Sequence, residues 1–345
     1  MKFQHAQRCL KNIQDNLREL RDPTSSCWDL NADKLASQIV GFGIEDDEES
    51  NCKIKIYTAG AVGDRSTCEC ALKYLTKSNA APVTPDDVIQ TGLFLPMMAT
   101  GTPGAGGTKP PKPGSPIGFR MDRVFPTPTV GALGGIVSNG QTKFILTANH
   151  VISLNDWVPK GSEVIFDPLS FPTGGVIGNL SPSPLTDRLV GDKINKSEFA
   201  LAEVKQDVVL DPSFPFPVQA AAGEPQCHGR VMKYSVLSGR TTGELVCRHI
   251  SLELRFDFGR FQFDNQLLIK GGASQFARPG DSGSLVFLES GEPVGMLFAG
   301  SVDSGWFVAC PLKPFFDKHK LSLVTGAAPG RSRKRPAQKG RSKKH

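Results

Sequence analysis

No stretch of this chain approaches the roughly 20 consecutive apolar residues that a membrane-spanning helix needs, so no membrane partner is expected. The first 22 residues lack an uninterrupted apolar core, because charges run from Lys2 to Asp22. An export signal is therefore not expected, and the default compartment is the reducing cytoplasm. There the eight cysteines (Cys9, Cys27, Cys52, Cys68, Cys70, Cys227, Cys247 and Cys310) are expected as thiols rather than as a disulfide framework. Metal-ligand spacing is missing too. Cys68-Glu69-Cys70, Cys227-His228 and Cys247-Arg248-His249 offer soft ligands, but none has the C-x2–4-C or H-x3–5-H separation that lets one turn grip a tetrahedral zinc ion. Neither a metal nor another cofactor is expected.

Acidic residues are absent from positions 331–345, which carry eight basic ones. The formal charge of +6 thus divides into a strongly basic tail and a body, 1–330, that holds 32 basic against 34 acidic side chains. The segment 327–345 has no apolar periodicity with which to bury surface, and disorder is expected. It has no aromatic residue to stack on bases, so any nucleic-acid contact would be salt-dependent and sequence-independent. In a eukaryotic cell the same run reads as a nuclear address.

What is present is a chain of 345 residues and 39% hydrophobic content, enough for about two domains with cores of their own. Leu10, Ile13, Leu17 and Leu20 recur at spacings of 3, 4 and 3, which predicts one face of a short amphipathic helix docked on its own domain. Apolar and alternating runs at 38–44, 53–57 and 87–89 add strands, so 1–98 is expected to be a small α+β domain. Between 99 and 118, eleven of twenty residues are Gly or Pro, which predicts a linker that no central strand crosses. Beyond it, eleven or so short β-branched and aromatic runs between 130 and 309, separated by Gly, Pro, Asn and Asp, predict an all-β barrel or sandwich over 119–326. A terminal helix is expected over 311–320.

Two motifs in this β portion carry chemistry. Leu146-Thr147-Ala148-Asn149-His150-Val151 is a strand-like run ending in a base. Arg278-Pro279-Gly280-Asp281-Ser282-Gly283-Ser284 holds a serine in a tight, glycine-flanked turn. Glycines there let the backbone turn sharply enough for the amides of Gly280 and Ser282 to converge as an oxyanion hole. His150 would take the Ser282 proton and return it to a leaving amine.

These segments, T-A-x-H and then G-D-S-G, 132 residues apart, resemble the two marks of the trypsin/chymotrypsin-like serine peptidases. Further strings at 110–118, 238–243 and 295–301, with 39–44 and 87–90, are similar to the plant narrow-leaf type and its bacterial relatives. The resemblance covers roughly 35–320. It implies a mostly β, chymotrypsin-like double β-barrel after a small α+β domain, with the active site between the barrels. It also implies a serine endopeptidase acting on protein or peptide substrates through an acyl-enzyme.

The family's acid stands in a D-x-A-L-like context, and the matching string Ser197-Glu198-Phe199-Ala200-Leu201 puts Glu198 there; Asp192 and Asp187 are the alternatives. A glutamate's extra methylene requires its backbone to sit back. The specificity-pocket floor, six residues before the serine in the family, falls on Phe276, with a wall near Phe298, Ala299 and Gly300. With no carboxylate at the floor, small or apolar substrate side chains are expected rather than Lys or Arg. Ile39-Val40-Gly41-Phe42 is similar to the new N-terminus of secreted zymogens, but Gln38 rather than a basic residue precedes it. Asp281 is accordingly expected to make a local turn bond. The competing reading is a protease-fold scaffold that has lost turnover, its basic tail contacting nucleic acid.

Overall fold

The computed structural model describes residues 1–21, 35–46, 52–77, 83–97, 99–100, 110–119, 129–168, 175–182, 187–191, 193–272 and 275–326. The tail readings, Cys27 and Asp192 lie outside these residues. No described helix is long and apolar enough to cross a membrane.

The helix Phe3–Arg21 turns Ala6, Cys9, Leu10, Ile13 and Leu17 inward, matching the spacing in the sequence. They pack with Ile39, Phe42, Ile44, Ile54 and Ile56, and with one face (Cys68, Ala71, Leu72, Leu75) of a second helix, Arg65–Thr76. That helix was not expected from the apolar pattern. Its start is set by Asp64, whose carboxylate accepts the Thr67 amide at 2.8 Å.

Six strands form a closed ring: Gly259–Gly271, Trp306–Pro311, Pro293–Ser301, Leu285–Leu288, Gly229–Ser235 and Gly239–Phe256, the last pairing back onto the first. The hairpin Gly239–Phe256/Gly259–Gly271 outgrows the ring, because register shifts between Leu245 and Leu252 bend it away. Its projecting part pairs with Ile39–Asp46 (Gly41↔Leu252, Gly43↔Ile250), so the N-terminal strands continue the same sheet.

The second sheet runs Ser322–Leu323, Gly135–Ser138, Lys143–Ala148, Phe199–Val204, Val176–Leu180, Glu163–Phe166, Pro116–Phe119, Thr129–Ala132 and Ala99–Thr100. Thr129–Ala132 and Gly135–Ser138 lie near its opposite ends yet are joined only by Leu133 and Gly134, so the sheet curls nearly shut. The chain is mostly β, in two curled sheets.

One expectation is corrected. Pro116–Phe119, within the Gly/Pro-rich segment expected to be a linker, pairs on both sides, with Glu163–Phe166 and with Thr129–Ala132. Its proline stands first in the strand, where the missing amide does least harm. Ala99–Thr100, at the segment's other end, also pairs with Thr129–Ala132. Within the runs expected from residue 130 onward, Thr129–Ala132 and Gly135–Ser138 are two strands, broken at Leu133-Gly134. The helix expected over 311–320 is observed as Leu312–His319.

Candidate active site

Strand register brings the base and the acid together. Phe199 pairs with Ala148, so the residue before one strand, Glu198, lies beside the residues after the other, Asn149 and His150. The Asn149 amide donates to the Glu198 carbonyl at 2.8 Å, which fixes the backbones. Glu198 Oε1 then accepts twice from one residue, from the His150 amide at 2.8 Å and from Nδ1 at 2.6 Å. Both side chains are wholly buried, and Glu198 Oε2 has no hydrogen-bond partner among the described residues. Burial pushes the Glu198 carboxyl above the ordinary glutamate range, while His150 pulls it back.

Asp187, an alternative acid from the sequence, is otherwise engaged. Its carboxylate caps the Phe199 amide at 2.7 Å and its carbonyl accepts the Asn149 side chain.

On the far side of the ring, His150 Nε2 stands 2.6 Å from Ser282 Oγ, which also lies 3.3 Å from the Phe298 carbonyl. The Ser282 turn needs its glycines. Gly280 and Gly283 have φ of 97° and 94°, and a Cβ at Gly283 would collide with Thr147 Oγ1 and the Ala132 carbonyl. The Ala132 amide donates to the Ser282 carbonyl at 2.7 Å and Gly283 donates to Leu297 at 2.8 Å, which ties the turn to both sheets.

Asp281 makes the expected local bond, accepting the Arg278 amide at 3.0 Å. It also makes more than the sequence suggested. Lys233 Nζ donates to its Oδ2 at 2.9 Å, Ser235 Oγ donates to Oδ1, and both the lysine and the aspartate are wholly buried. Desolvation lowers the Lys233 pKa, with Asp281 opposing. A lysine inside the alternating strand Gly229–Ser235 was the available signal, and its partner, 48 residues away, was not.

The amides of Gly280 and Ser282 converge on one oxygen, the main-chain carbonyl of Met97, at 2.7 and 3.4 Å. The Met97 amide donates to the Phe298 carbonyl at 3.1 Å, and Leu95 and Pro96 pair antiparallel with Gly300 and Ala299. Met97 is buried in one apolar cluster with Phe276, Leu297 and Phe307. Of the pocket residues expected, Phe276 belongs to that cluster, its ring 5.5 Å from Phe307. At Gly300 an added Cβ would meet Met97 Sδ at 3.2 Å, so a side chain there would fill the space the thioether uses. Phe298 faces Met97 with its backbone, its ring packing on Phe263 at 5.2 Å. Residues 94–97 carry no chemistry-bearing side chain, and their part in the site was not legible in the sequence.

Aromatic rings close the flank. Phe256, at the end of the long hairpin, lies 5.7 Å from the His150 ring, with Phe258 stacked on it at 5.0 Å. Among the described residues no cluster of His, Cys, Asp and Glu suits a metal ion.

No family model matches the chain, and no curated protein matches it. Among solved structures it is similar to Thermobifida fusca Protease A, at 18% identity over 63% of this chain and all of that one, with a TM-score of 0.42. It is similar also to Nocardiopsis protease, at 13% identity over 63% of this chain and all of that one, with a TM-score of 0.43. Cellulomonas bogoriensis chymotrypsin matches at 14% identity over 62% of this chain and 98% of its own, with a TM-score of 0.41.

Proposed function

We propose that this protein is a serine endopeptidase. On this reading Ser282 Oγ attacks the carbonyl of a bound peptide and passes its proton to His150 Nε2. Glu198 holds His150 in the tautomer that leaves Nε2 free, and it stabilises the imidazolium. The amides of Gly280 and Ser282 take the charge that develops on the carbonyl oxygen, and such a pair of donors is the largest single aid to acyl transfer. His150 then gives its proton to the leaving amine, and water releases the acyl group from Ser282.

The observation that carries the proposal is the convergence of those two amides on a peptide carbonyl beside a hydroxyl 2.6 Å from the histidine. An apolar cluster beside the serine, with Phe276 in it, supports a preference for apolar substrate side chains. The narrower kinship with the plant narrow-leaf type rests on the sequence strings alone. The nucleic-acid contact of 331–345 is likewise proposed from its charge.

A fluorophosphonate probe tests the reading. It is offered to the wild-type chain and to a Met97→Asp chain, whose acid would leave the apolar cluster and vacate the cleft. Labelling of either that disappears with Ser282→Ala is expected. Two chains that melt cooperatively and take no label would overturn the proposal.

A further inference from the structure

His150 and Ser282 are both wholly buried, although a peptidase must admit a chain to them. The reason is that a chain is already there, and it is the protein's own. Residues 95–97 run antiparallel to 298–300 on the serine-bearing sheet, and the Met97 amide and carbonyl are both engaged, by the Phe298 carbonyl and by the two converging amides. On the other side of residue 98 the chain resumes pairing at once, now with the histidine-bearing sheet: Ala99↔Val130 and Thr100↔Thr129. The Met97 carbonyl oxygen thus accepts from the Gly280 and Ser282 amides at the last residue before the chain's pairing passes to the other sheet.

The flanking residues have the burial of a bound substrate strand. Met97 is 1% exposed in the pocket cluster and Phe94 is 3% exposed, while Leu95 between them is 53% exposed. Met97 is an unbranched apolar side chain of the kind that an apolar pocket without a carboxylate takes.

We infer that the protein cleaves itself, in cis, between Met97 and Met98, and that its substrate class is an extended apolar segment of the form Phe-Leu-Pro-Met before the scissile bond. The inference rests on the peptidase reading above. In the step, Ser282 Oγ bonds to the Met97 carbonyl carbon as its proton moves to His150 Nε2. The bond from that carbon to the Met98 nitrogen breaks, and His150 protonates the departing amine. Water then cleaves the ester, leaving a Met97 carboxylate and restoring Ser282. Tethering makes the attack intramolecular, and well-oriented intramolecular reactions reach effective molarities of about 10⁵ M or more.

The experiment follows the full chain after cell-free synthesis, by intact mass and N-terminal sequencing, for wild type, Ser282→Ala and Met97→Asp. Wild type is expected to give a fragment ending at Met97 and one beginning at Met98, with a rate constant unchanged on 100-fold dilution. Ser282→Ala is expected to stay whole, and Met97→Asp to react at least about 100-fold more slowly, as an acid in an apolar pocket should. The synthetic peptide Phe-Leu-Pro-Met-Met-Ala-Thr and the fluorophosphonate probe are offered to Met97→Asp in parallel.

An intact wild-type chain beside a Met97→Asp chain that takes the label would overturn self-cleavage and leave the peptidase standing, with 94–97 as an inhibitory plug. An intact wild type beside an unlabelled Met97→Asp chain that spares the peptide would remove the peptidase reading and this inference with it. Cleavage at another bond, or a rate that follows concentration, overturns the cis assignment.

Discussion

Glu198 shows what a single methylene asks of a site. It precedes strand Phe199–Val204, and its side chain reaches back so that one oxygen serves both the amide and the ring of His150. Glu198→Asp shortens that reach by one carbon, and loss of the Nδ1 contact is expected before loss of the fold. Glu198→Gln keeps the length but can offer its NH₂ to Nδ1, which favours the wrong tautomer; a fall in kcat of about 10³- to 10⁴-fold is expected against the peptide substrate. Stability should move the other way. Burial raises the folded-state pKa of Glu198, so the protonated form is the favoured one and its stabilising contribution is lost as pH rises through that value. The neutral glutamine escapes this. The melting temperature of Glu198→Gln relative to wild type should therefore climb as pH rises above the ordinary glutamate range and then level off; a gap that narrows with pH would contradict the assignment.

At the scale of elements, the serine turn is held by a pair rather than by its own sequence. The buried Lys233–Asp281 contact ties strand Gly229–Ser235 to the serine turn, and removing one member leaves the other charged and unsolvated, a loss of about 3–5 kcal/mol. Lys233→Met should cost that much in urea unfolding and abolish fluorophosphonate labelling. Lys233→Met with Asp281→Asn should recover much of the stability, since no buried charge is left, without recovering the label.

This pair also marks the limit of what the sequence discloses. His150 and Ser282 were legible because each sits in a local motif whose glycines and strand residues state its geometry. Glu198 was legible through its apolar strand. Lys233, Met97 and the helix Arg65–Thr76 were not, because their roles come from partners brought close only by closure of the ring, docking of the N-terminal strands and the path of the chain between sheets. Pro116–Phe119 misled for a related reason. Gly and Pro content reports local backbone preference, whereas a four-residue strand with its proline in the first position is decided by the neighbours that pair with it.

On the scale of the whole molecule, the N-terminal portion extends the ring's sheet through the projecting hairpin. Strand Ile39–Asp46 pairs with the projecting hairpin, and the approach is close: a Cβ at Gly41 would meet the Ser251 carbonyl at 2.9 Å and one at Gly43 would meet Cys247 Sγ at 2.9 Å. Scission between Met97 and Met98 would break one covalent bond and leave this pairing untouched. The fragment 1–97 is therefore expected to remain bound to 98–345 after self-cleavage, the two co-eluting in size-exclusion chromatography and parting only in denaturant. Gly43→Val forces a branched side chain against Cys247 and Tyr57, and overpacking of this kind costs about 1–3 kcal/mol. In that variant the fragments should separate at lower denaturant than in wild type. Cleaved wild-type fragments that elute apart in native buffer would show that the strand pairing does not hold the halves together, and that the covalent chain does.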